Sequence, residues 1–469
     1  MFIYLIIFCF QLNILFSKII IPFTTIKENI TPSDYASTFM YYSFCSKIET
    51  KIKIGTPSQE IALRIKTLSI PILINSIQMG TYKIIRFNES DSSSYVALHN
   101  NPYSYGQPDF TKAVKSKELI NFTNNLTLYN FSFLLGTDDY YNHRESGVLG
   151  LCLADLDHRV NDVGFIKQLK ERDLIQNYSF FIEYNKSSLN EMISGNIIIG
   201  SFPHEYNPNK YKKENFKEFY AEMVRGSLGL KIKEAFYGNT SINEDFKALL
   251  AIEDNFIRGT KIFKNKLIET FFGKYINNRK CSESKFSYLD NNNCEFFYCE
   301  KNINLSQFEN ITLIVDNFGI NENDDDNLNN THLIIELNYK ELFTEFDNKY
   351  YFLMYFPDND YESTYFKFGK IFFQKYLVNF NLETKKIGFY INNENEEEKN
   401  NEDNNKGNKE KKEENDEKIL PWVLVGILVV VVFILIWFII YINPCRKRTK
   451  RANELIDDNY TYEEGINQN

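Results

Sequence analysis

Residues 54–76 read IGTPSQEIALRIKTLSIPILINS, and this stretch decides the fold. It opens with the turn-forming residues Gly-Thr-Pro and continues with a run, Glu60–Ile65, in which every second residue is strongly apolar. A short apolar run, Ile70–Ile74, follows after a gap of four residues. Apolar alternation predicts a strand, because successive side chains of a strand point to opposite faces. The stretch therefore predicts two strands separated by a short loop.

The same kind of run recurs along the chain on both sides of this stretch. Aromatic residues make up 16% of the sequence, and aromatic and β-branched residues favour strands. The predicted strands are Glu49–Ile54, Glu60–Ile65, Ile70–Ile74, Asn130–Leu135, Phe180–Tyr184, Gly195–Gly200, Thr312–Val315, Leu333–Leu337 and Tyr350–Phe356. One segment, Phe165–Arg172, places its apolar residues at helical spacing and predicts a helix. We therefore expect an all-β architecture of the sandwich or barrel-like type.

Both ends of the chain carry long apolar segments. Residues 1–17 are almost uninterruptedly apolar up to the small residue Ser17, which predicts a signal peptide, with an uncleaved anchor as the alternative. Residues 420–442 contain no charge and are numerous enough to cross a bilayer as one helix. A basic cluster begins at Arg446, and such clusters stay in the cytosol. The pattern predicts a type I membrane protein of the secretory pathway or cell surface, with a lumenal or extracellular body.

Two polar segments flank the predicted membrane helix. Residues 392–418 consist almost wholly of Asn, Glu, Lys and Asp, and such a composition cannot bury enough apolar surface to fold. We expect a disordered acidic and Asn-rich stalk there and a short cytosolic tail at 443–469. The body between the two ends contains several Asn-x-Ser/Thr sequons, which agree with a glycoprotein of the secretory pathway. They lie at Asn29, Asn121, Asn125, Asn130, Asn177, Asn239 and Asn310.

Composition and motifs exclude several classes of function. The formal net charge is -9 and no basic stripe occurs, so nucleic-acid binding is not expected. The five histidines lack metal-ligand spacing, and neither a metal nor a cofactor is expected. The sequence has no GxSxG elbow, P-loop or GxGxxG fingerprint, which argues against serine hydrolases, NTPases and dinucleotide enzymes.

Cysteines are few, and most of them fall in the body of the chain. Cys281, Cys294 and Cys299 are close in sequence and are expected to supply one disulfide, although their spacing does not decide the pairing. Cys152 lies in an apolar run and is expected to be a buried thiol. A disulfide fits the predicted route through the secretory pathway.

Six segments in the correct order resemble the pepsin-like aspartic peptidases. Residues 54–76 align without a gap to that family's first active-site region, whose usual form is IGTPxQ, an apolar run and DTGS. Further resemblances are FNESDSSSY at Phe87–Tyr95, SYG at Ser104–Gly106, SGVLGL at Ser146–Leu151, SGNIIIGSF at Ser194–Phe202 and GKIFFQKYLVNFNLETKKIGFY at Gly369–Tyr390. They correspond to the family's FNPxxSSTY loop, its flap, its DGILGL strand, its SGxxxxGG ending and its closing segment.

The resemblance implies a bilobal β fold, with an N-terminal lobe at 46–202, a C-terminal lobe at 203–391 and a peptide-binding cleft between them. Each lobe of the family contributes one aspartate on a tight loop. The two carboxylates share a water molecule and a proton, because two like charges that lie close together push their pKa values apart. One carboxylate then acts as the base and the other as the acid.

Neither aspartate is present at the aligned positions of this chain. Lys66 takes the first position, and Ala251 takes the second in ALLAIEDNFIRGT, where Ile252 replaces a threonine. An ammonium group has no lone pair with which to take a proton from water. A shift of the second alignment by two or three residues would instead bring Glu253 or Asp254 near the cleft.

Other positions of the resemblance imply contacts with a bound peptide. Thr67 and Ser69 follow the first aspartate position, and Tyr105 and Gly106 correspond to the flap. We expect an inactive pseudopeptidase that binds a peptide or protein. The alternatives are an active aspartic endopeptidase and a surface or adhesion protein, so enzymatic activity is left open. The sequence does not predict the oligomeric state.

Overall fold

A computed structural model of the chain describes residues 18–26, 40, 47–68, 72–77, 85–98, 103–107, 110–123, 126–137, 146–152, 163–185, 194–224, 227–242, 246–288, 292–316, 332–358 and 364–390. The predicted signal peptide, stalk, membrane helix and tail lie outside these ranges. None of the helices within them is both long and apolar enough to span a membrane.

Most of the described residues belong to two large β-sheets. The first sheet contains β1 (Ile19–Ile26), β2 (Lys47–Ile54), β3 (Gln59–Lys66), β4 (Ile72–Asn75), β5 (Val96–Ala97), β6 (Tyr103–Gln107), β7 (Phe110–Thr123), β8 (Leu126–Gly136), β9 (Gly147–Gly150), β10 (Ser179–Tyr184), β11 (Ser194–Ile199), β12 (Phe216–Tyr220), β25 (Val378–Asn381) and β26 (Lys386–Tyr390). Its spatial order is β12-β26-β25-β10-β11-β1-β2-β3-β9-β4-β8-β7-β5, and β6 pairs with β7.

The second sheet is formed by the strands between β12 and β25. They are β13 (Glu222–Val224), β14 (Ser227–Tyr237), β15 (Thr240–Ile242), β16 (Phe246–Leu250), β17 (Ile257–Arg258), β18 (Cys281–Tyr288), β19 (Asn292–Glu300), β20 (Ile311–Asp316), β21 (His332–Leu337), β22 (Phe343–Phe346), β23 (Lys349–Pro357) and β24 (Phe366–Phe368). Its spatial order is β18-β19-β23-β17-β24-β16-β14-β20-β21, with β13 and β15 on β14 and β22 on β23.

Helices are few and short in the described part of the chain. They are α1 (Phe165–Glu171), α2 (Pro203–Tyr206), α3 (Lys261–Leu267), α4 (Gly273–Asn277), α5 (Tyr339–Leu342) and α6 (Lys370–Lys375). A π-helical turn, Ile268–Phe272, joins α3 to α4, and single 3-10 turns lie at Glu89–Asp91, Lys213–Asn215 and Leu305–Gln307. The protein is therefore mostly β, as the sequence predicts.

Each of the nine runs predicted as strands overlaps a strand in its described residues, and Phe165–Arg172 contains α1. Strand β1 is among the 17 described strands that these runs did not predict. It lies between β11 and β2 and buries Ile19, Ile21 and Phe23 almost completely, so the folded body begins well before Ser46. Its apolar residues directly follow the apolar N-terminal segment, and local sequence alone cannot separate a strand from the end of such a segment.

The two sheets repeat one unusual pattern of strand pairing. In the first, β3 pairs in parallel with β9, β9 antiparallel with β4, and β4 in parallel with β8. In the second, β16 pairs in parallel with β24, β24 antiparallel with β17, and β17 in parallel with β23. A helix follows each central strand, α1 after β9 and α6 after β24. The loops that leave β3 and β16 are therefore equivalent in the two halves of the body.

Aromatic side chains fill the core of the second sheet. Phe272 stacks on Phe297 with ring centroids 4.2 Å apart and packs against Phe308, Phe343 and Phe352. All five rings are buried. Such rings bury a large apolar area at a small cost in conformational entropy, which stabilises a body this rich in phenylalanine.

Cysteine pairing follows the sheet register. Cys281 and Cys299 face each other across β18 and β19 and form a disulfide. Cys152 and Cys294 are buried thiols outside this disulfide. The expectation of one disulfide among the three neighbouring cysteines is therefore confirmed, and so is the buried thiol at Cys152.

A network of charged side chains lies beside the hairpin formed by β18 and β19. Lys264 contacts Glu283 at 2.6 Å and also Glu295, and Lys285 bridges Glu295 at 2.9 Å and Asp358 at 3.1 Å. Burial alone would raise the pKa of Glu295, but hydrogen bonds from Lys264 and Lys285 outweigh it and hold that pKa below the ordinary value of 4.5.

Stability should therefore depend on Glu295 in acid. A carboxylate with a depressed pKa stabilises the fold fully above pH 4.5, and this contribution is lost as the pH falls through the folded-state pKa. We expect Glu295→Gln to reduce the loss of unfolding free energy between pH 6 and pH 3, roughly the range over which carboxylates titrate. Urea titrations of the full-length chain at several pH values measure this. The matched control is Glu60→Gln, which removes a carboxylate from the exposed pair with Lys51 and should change the pH dependence less. An unchanged pH profile in Glu295→Gln would contradict the prediction.

Candidate functional site

The candidate site forms where the equivalent loops after β3 and β16 meet. Thr67 follows β3 and is only 5% exposed. Its hydroxyl oxygen accepts a hydrogen bond from the Ile252 N–H at 3.3 Å and lies 2.9 Å from the Leu250 carbonyl oxygen, to which it can donate. One side chain of the first loop is thus bonded to two backbone groups of the second.

A glutamate of the second loop reaches back to the first. The Oε2 atom of Glu253 accepts from the Thr67 N–H at 3.0 Å and lies 2.9 Å from the Thr67 hydroxyl. Its Oε1 atom accepts from the Leu68 N–H at 3.2 Å. Glu253 is 8% exposed, so these donors replace the water that a carboxylate would otherwise bind. The hydroxyl has one proton and can donate it to Leu250 or to Glu253, but not to both at once.

The two aligned aspartate positions lie at the start of these loops. Lys66 is the last residue of β3, is half-buried, and pairs with Gly150 of β9. Ala251 is fully buried directly after β16, and its N–H donates to the Phe368 carbonyl at 2.9 Å. Lys66 is thus the last residue of the β3 ladder, and Ala251 is the first residue after the β16 ladder.

Asp254, the other alternative from the sequence, is engaged elsewhere. Its Oδ2 atom forms an ion pair with Lys367 at 2.9 Å and lies 3.3 Å from the Tyr355 hydroxyl, which donates to it. Both charged side chains are largely buried, and pairing offsets the cost of removing them from water. Of the two alternative carboxylates, the structure brings Glu253 to Thr67 and directs Asp254 to Lys367.

The start of α6 contacts the backbone of the second loop. The Lys370 N–H donates to the Asp254 carbonyl at 2.7 Å. A Cβ atom on Gly369 would lie 2.3 Å from each of the carbonyl oxygens of Asp254 and Phe256. Only glycine allows the backbone to approach this closely without displacement. The start of α6 therefore sets the position of the loop that carries Glu253.

Both loops rest on an apolar base. A small cavity against Thr67 is lined by Thr67, Leu151, Cys152, Phe180, Leu228, Leu250, Phe380 and Leu382. Phe180 and Phe380 stack at 4.6 Å, and the Cys152 sulfur lies 3.5 Å from the Ser227 hydroxyl, so the two sheets also meet there. An apolar base strengthens the electrostatic interactions of the polar groups above it, because it lowers the local dielectric constant.

The charge of Glu253 affects the pKa of Tyr184. Its hydroxyl is buried and has no hydrogen-bond partner among the described residues. Burial raises the pKa of Tyr184, and the nearby Glu253 raises it further. A phenol in this environment stays neutral and cannot serve as a base.

The remaining predicted binding residues lie on a hairpin or outside the described residues. Tyr105 and Gly106 belong to β6, and the register that pairs Ser104 with Lys112 and Gln107 with Phe110 makes β6 and β7 a tight hairpin. A hairpin is the structure that a flap requires. Ser69 lies outside the described residues.

No group of three or more His, Cys, Asp or Glu side chains that could hold a metal ion occurs among the described residues. The contacts of Glu253 described above are all hydrogen bonds.

Comparison with known proteins places the chain in a family. A search of curated proteins found no match. The family model of the eukaryotic aspartyl proteases matches residues 48–390. This range is most of the body and includes both loops of the candidate site. The chain therefore belongs to the eukaryotic aspartyl protease family.

Proposed function

We propose that the protein is a catalytically inactive member of its family that binds a peptide or protein in the cleft between its two halves. One observation carries the proposal. The residues that align with the two aspartates of the family are Lys66, at the end of β3, and Ala251, directly after β16, and neither of them is a carboxylate.

The chemistry of the family needs two carboxylates that share one proton and activate one water molecule. Lys66 offers a donor in place of the base, and Ala251 offers no polar group at all. Glu253 supplies a single carboxylate, and its two oxygens face three donors of the first loop. These hydrogen bonds engage both oxygens of Glu253 within the protein, so the carboxylate is not presented to a substrate water.

Binding can persist without chemistry. The β6–β7 hairpin contains Tyr105 and Gly106, the two residues that the resemblance assigns to the flap over a bound peptide. A peptide or protein segment is accordingly the ligand class that we propose. A surface or adhesion protein without a functional cleft is the second candidate, and a Tyr105→Ala variant that keeps every partner would favour it.

We also propose that the body is lumenal or extracellular and is held at a membrane by the helix expected at 420–442. The support is the uncharged apolar run and the basic cluster after it. The Cys281–Cys299 disulfide agrees with this route, because disulfides persist in oxidising compartments.

The proposal predicts no specific peptide cleavage. The full-length chain, purified in detergent, is incubated with a peptide library from pH 3 to pH 7, roughly the range in which carboxylate dyads work. Each reaction is run with and without a transition-state-mimicking inhibitor of aspartic peptidases. We expect no turnover that the inhibitor suppresses.

A variant separates this protein from contaminating peptidases. Glu253→Gln removes the carboxylate that lies nearest to the Lys66 loop. Inhibitor-sensitive turnover that disappears in Glu253→Gln would establish an active endopeptidase and reject the proposal. Turnover that is equal in both proteins comes from a contaminant and counts as absence of activity.

A further inference from the structure

The two loops are joined by a reciprocal pair of contacts, and one partner of that pair is substituted. The Thr67 hydroxyl accepts the N–H of Ile252. Because the two loops are equivalent, the matching contact would run from the Thr67 N–H to the side chain of residue 252. Ile252 has no acceptor atom. The Thr67 N–H is instead bound by the neighbouring residue, Glu253, at 3.0 Å.

We propose that Glu253 is a positioning residue that acts as an internal ligand of the first loop. Its carboxylate replaces the missing hydroxyl of residue 252 and takes the Leu68 N–H as well. The contacts link residues more than 180 positions apart in sequence and therefore connect the two halves of the body. The proposal rests on the proposed function only in treating this site as non-catalytic.

The hydrogen bonds of Glu253 with Thr67 and Leu68 are called the Glu253 lock below, and burial strengthens them. Glu253 and Thr67 are 8% and 5% exposed, and a buried carboxylate is tolerated only where donors surround it. Hydrogen bonds to a charged group are about twice as strong as neutral ones. Removal of the carboxylate would leave the buried Thr67 N–H and the half-buried Leu68 N–H without this acceptor.

The lock has a consequence for ligands. The backbone donors of Thr67 and Leu68 are already bound, so a ligand of the cleft cannot use them. Any peptide bound there must be held by other groups, such as the hairpin that carries Tyr105. The loops also cannot separate unless the contacts of Glu253 break.

Site-resolved hydrogen exchange of the full-length chain tests the lock directly. In the natural protein we expect the amides of Thr67 and Leu68 to exchange as slowly as those of the preceding strand β3. In Glu253→Gln they should exchange at least about 10-fold faster, because the side-chain amide presents a donor to one of these N–H groups, and the remaining oxygen, now uncharged, accepts a weaker hydrogen bond from the other. Amides of β14, such as that of Leu230, should change less than about 2-fold.

Two further variants make the test specific. Adding Ile252→Thr to Glu253→Gln restores a hydroxyl at residue 252 and should recover the protection of Thr67 but not that of Leu68. The matched control, Glu60→Gln, removes an exposed carboxylate and should leave both amides unchanged. A role in stability alone would not produce this separation between neighbouring amides.

Each outcome decides the proposal. Fast exchange of both amides in the natural protein overturns it, whether or not Glu253→Gln folds. Equal protection in the natural protein and in Glu253→Gln also overturns it. Inhibitor-sensitive turnover that disappears in Glu253→Gln would reject the proposed function, whereas slow exchange at Thr67 and Leu68 would still support the lock.

Discussion

Replacing Thr67 by valine is expected to lower the free energy of unfolding by about 2–4 kcal/mol, because several buried groups then lose a partner. Valine has nearly the same shape as threonine but has no hydroxyl. The Ile252 N–H loses its acceptor, and the Leu250 carbonyl and Glu253 together lose one donor. All of these groups lie in the buried contact between the two loops.

Urea denaturation of the full-length chain measures this loss, and Thr67→Ser is the matched control. Serine keeps the hydroxyl and removes one methyl group, which should cost about 1 kcal/mol or less. Equal losses in the valine and serine variants would mean that the hydroxyl does not join the loops. The same result would contradict the premise that the Thr67 hydroxyl accepts the Ile252 N–H, from which the role of Glu253 is inferred.

Gly369→Ala is expected to destabilise the protein by about 3 kcal/mol or more through overpacking against the backbone. The added Cβ would lie 2.3 Å from two carbonyl oxygens, those of Asp254 and Phe256. Neither oxygen can move without displacing the second loop, because the Asp254 carbonyl also accepts the Lys370 N–H. The substitution should therefore disturb Glu253 as well as the global stability.

Gly388→Ala provides a control with the same chemical change. Its Cβ would lie 2.3 Å from the ring of Phe216, a half-buried side chain that can shift without displacing a backbone carbonyl. We expect a smaller loss there and no faster exchange at Thr67. If Gly388→Ala is as destabilising as Gly369→Ala, contact with the backbone is not what makes Gly369 necessary.

Apolar patterns predicted nine of the 26 described strands and one of the six described helices. Short alternating runs such as Glu60–Ile65 became strands because one face of each is buried, and burial of one face is what alternation records. Strand β1 was missed because its apolar residues continue an apolar N-terminal segment. The sequence limited the expected disulfide to two of three neighbouring cysteines. The register of β18 and β19 shows that Cys281 and Cys299 are the two that pair.

The site was only partly predictable. Ordered motifs identified Lys66 and Thr67 at the first loop and Ala251 at the second. They left Glu253 and Asp254 as alternatives, because two adjacent residues of a loop point in different directions that local sequence does not specify. In the structure, Glu253 reaches Thr67, and Asp254 pairs with Lys367.

The family, the β class of the body and the residue types at the two loop positions follow from local pattern and motif order, so they can be read without a structure. The contact between Thr67 and Glu253 is visible only in the folded protein. The physical reason is distance along the chain: residues so far apart in sequence come together only when two sheets pack and bury a carboxylate, and that carboxylate must then find donors wherever the fold provides them.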